Sequence, residues 1–434
     1  MNSAQPGQRV WVNGSVYSPA DPFATALLVD GPTVAWVGSD DAARGIAGPD
    51  ALLGDLRAAV VTPAFVAHHL LGDLASPRGE SSVSGSDDGD AARLPRARDG
   101  YGAVEVLGTD PGKLAEAVRR IRADGMHALP VLVRKEALTG DVDPASLQSP
   151  SLGLAVREDT PEDAVRRHLV ACTRAGLQAV LVLPSPLPDA ASTAEAAADG
   201  ASASASASAD TDAGDAAATA TATASVPAST AADAQAATPA ASTGAVLLDR
   251  VLSAAEAARA EVGERPFRAR GHRIVGVADL DDAQCERLAS LACTVSCRAG
   301  QAPLRDLARA GVPVTLTTDA ENPWTAVKAA LDAPQERLRT SARAAFLALT
   351  RGAWRAQAGG APLAGQLAPG AEATLAVWDA ESVMVQQAQG TGASWSTDPR
   401  ARTPVLPSLD DSRLPLCEAT MVAGTLVSGE EPRP

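Results

Sequence analysis

"VTPAFVAHHLLGD", residues 61–73, is the stretch on which the reading of this chain turns. It is apolar, then carries two adjacent histidines, then is apolar again. The chain has only five histidines in 434 residues, so a pair at the end of an apolar run raises the question of a metal site. Together with the preceding "LRAAV" the run reads as a strand buried on both faces. Neighbours in a strand point to opposite faces. His68 and His69 therefore cannot both serve one site without a bulge. The expectation is that His69 faces the site and His68 faces helices or solvent.

Upstream, "RVWVNGSVYS" alternates apolar and polar residues around Asn13-Gly14, a hairpin signal, and "ATALLVDGPTVAWVGS" repeats the device at Asp30-Gly31. Downstream the period changes. "PGKLAEAVRRIRADG" then "HALPVLVRK", "PEDAVRRHLVACTRAG" then "LQAVLVLPS", "DDAQCERLASLA" then "CTVSC", and "PLRDLARAG" then "VPVTLTTD" each read as a helix followed by a short strand. Such alternation predicts parallel βα units. Residues 76–100 are rich in Gly, Ser, Asp and Arg and read as a loop or disorder. Residues 190–243 are Ala/Ser/Thr/Asp low complexity with almost no large apolar side chain, and read as a disordered insertion. The tail segments "LAPGAEATLAVWDAE" and "CEATMVAGTLVSGEE" return to turn-linked strands, so the two chain ends are expected to share one sheet domain.

The totals bound the function. Hydrophobic residues make up 46% and charged residues 21%, as in a globular protein, and the net charge is −15 with no basic stripe, which excludes nucleic acid as an expected partner. No apolar run nears bilayer length and no signal-like leader is visible, so no membrane partner and a cytoplasmic location are expected. The five cysteines are odd in number and contain no Cys-x-x-Cys, which argues against a disulfide framework. Cys293 and Cys297 have the spacing of two zinc ligands, but no second pair accompanies them, and buried thiols are the favoured reading.

These pieces resemble the amidohydrolase superfamily, in particular the branch called amidohydrolase 3. The resemblance rests on the N-terminal "VNGSVYSPADPFATALLVDGPTVAWVGSDDAAR", on "DLRAAVVTPAFVAHH" as the lead-in to the first barrel strand, on "AGVPVTLTTDAENPWTAVKAAL" as the late strand ending in the catalytic aspartate, and on "TRGAWRAQ…GQLAPGAEATLAVWDAE" as the closing helix and return. It implies a (β/α)8 TIM-type barrel fused to a small β-sandwich built from both chain ends. It also implies one or two zinc-type divalent metals at the C-terminal ends of the strands, and hydrolysis of non-peptide C–N bonds in a small-molecule amide-type substrate by metal-bound water.

Carried over residue by residue, the implied site is depleted. Without gaps, the family's Asp-Ala-His-x-His falls on Ala67, His68, His69, Leu70 and Leu71: His69 keeps the first ligand, and Leu71 replaces the second. The Phe-His-x-Ile-Gly-Asp motif puts Val182 where a ligand histidine stands. The His-Arg-Leu-Glu-His motif keeps His272-Arg273 and ends on Gly276. Asp319 keeps the aspartate, as metal ligand and catalytic acid/base, although a strand-ending Asp can also be a helix N-cap. A bridging lysine would have to be Lys135, which otherwise pairs with Glu136 at the surface. His127 and His168 are expected to be solvated, and His272 to lie at the surface in a basic run.

The expected architecture is therefore an α/β barrel, complete or imperfect, at residues 61–189 and 244–365, with a sandwich from 1–60 and 366–434. Three functions stay open. One is a non-catalytic relative binding a small ligand or partner through the old barrel mouth, a pseudoenzyme. Another is a hydrolase with a reduced one-metal site of His69, Asp319 and a third residue, with Lys135, His68 or a cysteine as the candidates. The last is a scaffold whose working part is the low-complexity tract. A homo-oligomer is compatible with each.

Overall fold

The computed structural model describes residues 7–74, 94–138, 149–184, 243–389, 392–396, 404–410 and 413–433. The chain divides into two units, residues 1–185 with 242–434, and residues 186–241. The second unit lies outside the described residues, and with it nearly all of the expected insertion at 190–243; most of the expected loop at 76–100 lies outside them too.

The N-terminal strands β1 (Arg9–Val12), β2 (Ser15–Val16), β3 (Ala26–Asp30) and β4 (Thr33–Gly38) precede helix α1 (Asp40–Ile46), β5 (Leu52–Asp55) and β6 (Val60–Pro63). The Asp30-Gly31 hairpin forms, with Asp30 opposite Thr33. The one expected at Asn13-Gly14 does not. Asn13 takes the left-handed turn conformation (φ 59°), but β1 joins β3 and β5 in one sheet while β2 runs parallel to β6 in another. The turn here moves the chain between sheets: Gly14 N–H donates to Thr25 O at 3.0 Å and Ser15 N–H to Ala59 O at 3.0 Å. Local alternation cannot distinguish a hairpin from such a crossing, because both need the same turn.

The chain ends meet as expected. Strand β6 pairs antiparallel with β15 (Leu375–Asp379), which pairs with β19 (Leu416–Val422), and β19 turns back into β20 (Thr425–Gly429). Trp11, Leu27, Val29 and Val34 of one sheet pack against Val61, Leu375, Val377 and Met421 of the other, the apolar interior of a sandwich. Strands β16 (Val383–Gln389), β17 (Gly392–Ser396) and β18 (Leu406–Pro407) form a separate small sheet.

Eight strands then run in sequential order, all parallel: β7 (Phe65–Leu70), β8 (Tyr101–Gly108), β9 (His127–Arg134), β10 (Ser151–Ala155), β11 (Gln178–Val182), β12 (Arg273–Val275), β13 (Thr294–Cys297) and β14 (Val314–Leu316). His68 N–H donates to Thr318 O at 2.8 Å, which ties the first strand to the chain leaving the last. This is the TIM-type fold. The connecting helices start and stop where the chemistry requires. Helix α2 (Pro111–Ala123) begins with Pro111 while Asp110 Oδ1 accepts from Gly112 and Lys113 N–H at 2.7 and 3.0 Å. Helix α3 (Glu162–Ala175) stops at Gly176, whose φ is positive. The long α4 (Thr243–Val262) and short α5 (Glu264–Arg268) follow β11, and α6 (Asp282–Leu291) opens on an Asp281/Gln284 capping box. Helices α7 (Leu304–Ala310), α8 (Trp324–Leu331), α9 (Ala342–Leu349) and α10 (Arg351–Ala356) complete the chain up to β15.

Aromatic residues are 3% of the chain, and they concentrate where barrel meets sandwich. Phe65 of β7 lies edge-on to Trp324, Phe346 and Trp378 at 5.1, 5.4 and 5.7 Å, and Trp324 stacks on Phe346 at 5.5 Å. Trp378 Nε1–H donates to Thr62 Oγ1 at 2.9 Å. No helix among the described residues is long and apolar enough to cross a membrane.

Candidate functional site

Side-chain direction along β7 decides which histidine enters the barrel. Val66 packs with Ala103 and Leu129, and Leu70 packs with Leu107, Val131 and Val182, all interior positions. Phe65 and Ala67 pack instead with the outer, helix-covered core. By period two, His68 shares the inner face with Val66 and Leu70. His68, expected to face helices or solvent, is thus the interior histidine.

Its partner is Glu105 of β8: His68 Nδ1 lies 2.8 Å from Glu105 Oε2. The other carboxylate oxygen, Oε1, accepts from the Arg273 guanidinium, which reaches it from β12 on the far side of the barrel. Glu105 is 4% and Arg273 1% exposed, so this is a buried ion network. Burial would raise the Glu105 carboxyl, but Arg273 and then His68 outweigh it and hold the group well below its ordinary value. An ionised Glu105 only accepts, so Nδ1 of His68 carries the proton it shares. His68 Nε2 is buried without a partner among the described residues, and so is Arg273 Nε.

His69 sits at the strand end, facing away from that network. Its Nδ1 lies 3.5 Å from Asp319 Oδ2, too long for a strong hydrogen bond, and Arg298 lies 3.7 Å from Asp319 Oδ1. The His69 ring is the largest influence on Asp319; with Arg298 it lowers the carboxyl against partial burial. Asp319 is 37% exposed. It does not cap the next helix, because Asn322 Oδ1 accepts the Trp324 N–H at 3.0 Å. The structure thus brings His69 and Asp319 together, and keeps both apart from the His68–Glu105–Arg273 network of the interior.

Among the remaining positions, His272 and His168 go differently from the sequence expectations. His272 is buried, not at the surface, and so is His168. His127 is partly exposed and bonds Glu372 at 2.8 Å. Lys135 and Glu136 are exposed beyond the end of β9. Cys293 and Cys297 are buried, and burial pushes both thiols up to about 12, which makes them poor ligands. Glu105 and Arg273 were missed as network residues. The available signal was a charged residue inside "YGAVEVLG", an otherwise apolar run, since an unpaired buried carboxylate is not tolerated.

The donor set does not fit a hydrolytic metal centre, which needs about three protein ligands and an open position. Among the described residues no group of three or more His, Cys, Asp or Glu side chains comes together to hold an ion. The interior carboxylate already carries a guanidinium. Along β7 to β12 the barrel mouth above it is aliphatic, with Leu70, Leu107, Val133, Ala155, Val182 and Val275 in one cluster; β13 and β14 add the buried hydroxyls Ser296 and Thr315, which bond each other at 2.8 Å. At Gly276 a side chain has no room, since φ is +84° and a Cβ would lie 2.6 Å from the Leu183 carbonyl oxygen.

No protein-family model matches the chain, and no curated protein does. Solved structures do. An N-isopropylammelide isopropylaminohydrolase from Burkholderia multivorans is 17% identical with TM-score 0.56, over 99% of this chain and 100% of that one. A triazine hydrolase from Arthobacter aurescens is 15% identical with TM-score 0.56, over 99% and 96%. An amidohydrolase from a Sargasso Sea environmental sample is 16% identical with TM-score 0.58, over 97% and 93%. At these identities the likeness is one of fold, and in fold this chain is similar to the amidohydrolases.

Proposed function

We propose that this chain is a non-catalytic relative of the amidohydrolase 3 branch, one that has given up metal-dependent C–N hydrolysis and binds a small molecule or partner on the old scaffold. The observation that carries this reading is the barrel interior. Glu105 is engaged by Arg273 and His68, the ends of β7 to β12 above it present alkyl groups, and the Ser296 and Thr315 hydroxyls of β13 and β14 bond each other. Alkyl side chains offer no lone pair to a metal and no acid or base to a substrate. The competing reading is a hydrolase using His69 and Asp319, favoured by their 3.5 Å approach at the strand ends.

Elemental analysis of protein purified without chelators, together with a screen of amide, urea and cyclic-amide substrates, separates the two. The expected result is no stoichiometric zinc, iron or manganese, and the same background hydrolysis in wild type and Asp319→Asn. Stoichiometric metal that is lost together with hydrolysis in Asp319→Asn would overturn the proposal.

A further inference from the structure

Three of the five histidines have a carboxylate beside them: His68 with Glu105, His69 with Asp319, and His127 with Glu372. His168 and His272 have none among the described residues, and they share one buried cluster between α3 and the barrel wall.

The hydrogen bonds around His272 fix it as a neutral ring. Ala179 N–H of β11 donates to His272 Nδ1 at 3.0 Å, so that nitrogen holds a lone pair. Thr173 Oγ1 of α3 gives its proton to Leu169 O at 2.7 Å, so it accepts from His272 Nε2–H at 2.9 Å. A second proton, on Nδ1, would face the Ala179 N–H. His168 is also on α3. Its Nε2 reaches Leu152 O of β10 at 3.3 Å and Cys172 Sγ at 3.6 Å. Its Nδ1 is buried without a partner among the described residues, so a proton added there would have no acceptor.

Among the described residues the surroundings add no compensating anion. Arg134 acts on His168, and His168 and then Arg270 act on His272, and each opposes a positive ring. Cys172 stays a thiol, since burial raises it to about 12, and the Phe267 ring of α5 packs on His272 at 4.6 Å. The ion pairs of the same seam, Arg166 and Arg174 with Glu261 of α4, involve partly exposed side chains.

We infer that His168 and His272 are an acid-sensitive latch, which holds α3 on strands β10 to β12 while both rings are neutral and releases that side of the barrel when they take up protons. Burial, first among the causes, depresses His168 to about 4 and His272 to about 3. A histidine depressed in the folded state binds its proton more readily when unfolded. Stability is therefore complete above about pH 6.5 and falls as the pH drops below that value. Each ring multiplies the unfolding constant roughly tenfold per pH unit there, so both together give about a hundredfold between pH 7.5 and 5.5. The depressed carboxylates Glu105, Asp319 and Glu372 lose their contribution only below their ordinary range, outside this window. The inference is independent of the proposed function.

Denaturant unfolding of the full chain at pH 7.5 and 5.5, compared between wild type and the double variant His168→Gln/His272→Asn, tests it. The expected result is a pH response about a hundredfold larger in wild type than in the variant. An equal response in both would overturn the latch. Should the variant fail to fold, histidine ring NMR of the wild type decides: two of the five rings should stay neutral down to pH 5 (roughly a unit above the higher depressed value), and five rings titrating above that pH would overturn the inference.

Discussion

Replacing Arg273 with methionine removes the guanidinium that Glu105 leans on, while keeping most of the side-chain volume. Both groups are buried, at 1% and 4% exposure, so water cannot replace the lost partner. Two opposite unit charges about 4 Å apart, at an effective dielectric constant near 20, attract by roughly 4 kcal/mol. Breaking a buried pair on one side costs about 3–5 kcal/mol, because the remaining charge is stranded. We therefore expect Arg273→Met to lower unfolding stability at pH 7 by about 4 kcal/mol, read as a shift in urea midpoint at unchanged slope. The effect is full at that pH. Glu105 has its folded value depressed, so its contribution is present above its ordinary 4.5 and is lost as the pH falls toward the lower folded value. The double variant Arg273→Met/Glu105→Leu should recover most of the loss. The wild-type network is itself incompletely satisfied, with Arg273 Nε and His68 Nε2 lacking partners among the described residues. A single variant within about 1 kcal/mol of wild type, the worth of a surface pair, would refute the reasoning.

Two further expectations concern the frame. Trp324→Ala should cost about 3–5 kcal/mol by calorimetry, since the indole is fully buried against Phe65, Phe346 and Trp378. Trp324→Phe should cost less than half as much, because Nε1 has no partner to lose among the described residues. Gly100→Ala should destabilise by about 1–3 kcal/mol or more in the same assay. Gly100 holds φ +88° at the entry to β8, and a Cβ there would meet the Trp378 ring at 2.2 Å.

Much of the frame was legible in the sequence because it is written in local periodicity. Helix-then-strand alternation marks β9, β11, β13 and β14 directly, and these are found where they were expected. Strands β10 and β12 gave no such signal: "GDVDPASLQSP" before "SLGLA" carries no helical period, "RIV" follows the charged run "RPFRARGH", and pairing with their neighbours defines both strands. Strand β8 follows a charged, glycine-rich stretch and carries Glu105, which masks an otherwise apolar run.

For the site, the sequence by itself determined chemical identity: leucine, valine and glycine stand where the resemblance calls for imidazoles, and no fold can give those side chains a lone pair. It also determined that both chain ends are strands. The tertiary structure decided which groups meet. A one-residue change of strand register exchanges inner and outer faces, and the packing of Val66 and Leu70 settles that register, turning His68 inward and leaving His69 to Asp319. Glu105 and Arg273 are 168 residues apart, and Thr173 and His272 are 99 apart. Such pairs leave no trace in local pattern. The first exists because closing the sheet brings opposite strands within reach and a buried charge must find a partner, the second because α3 packs against the barrel wall beside β12.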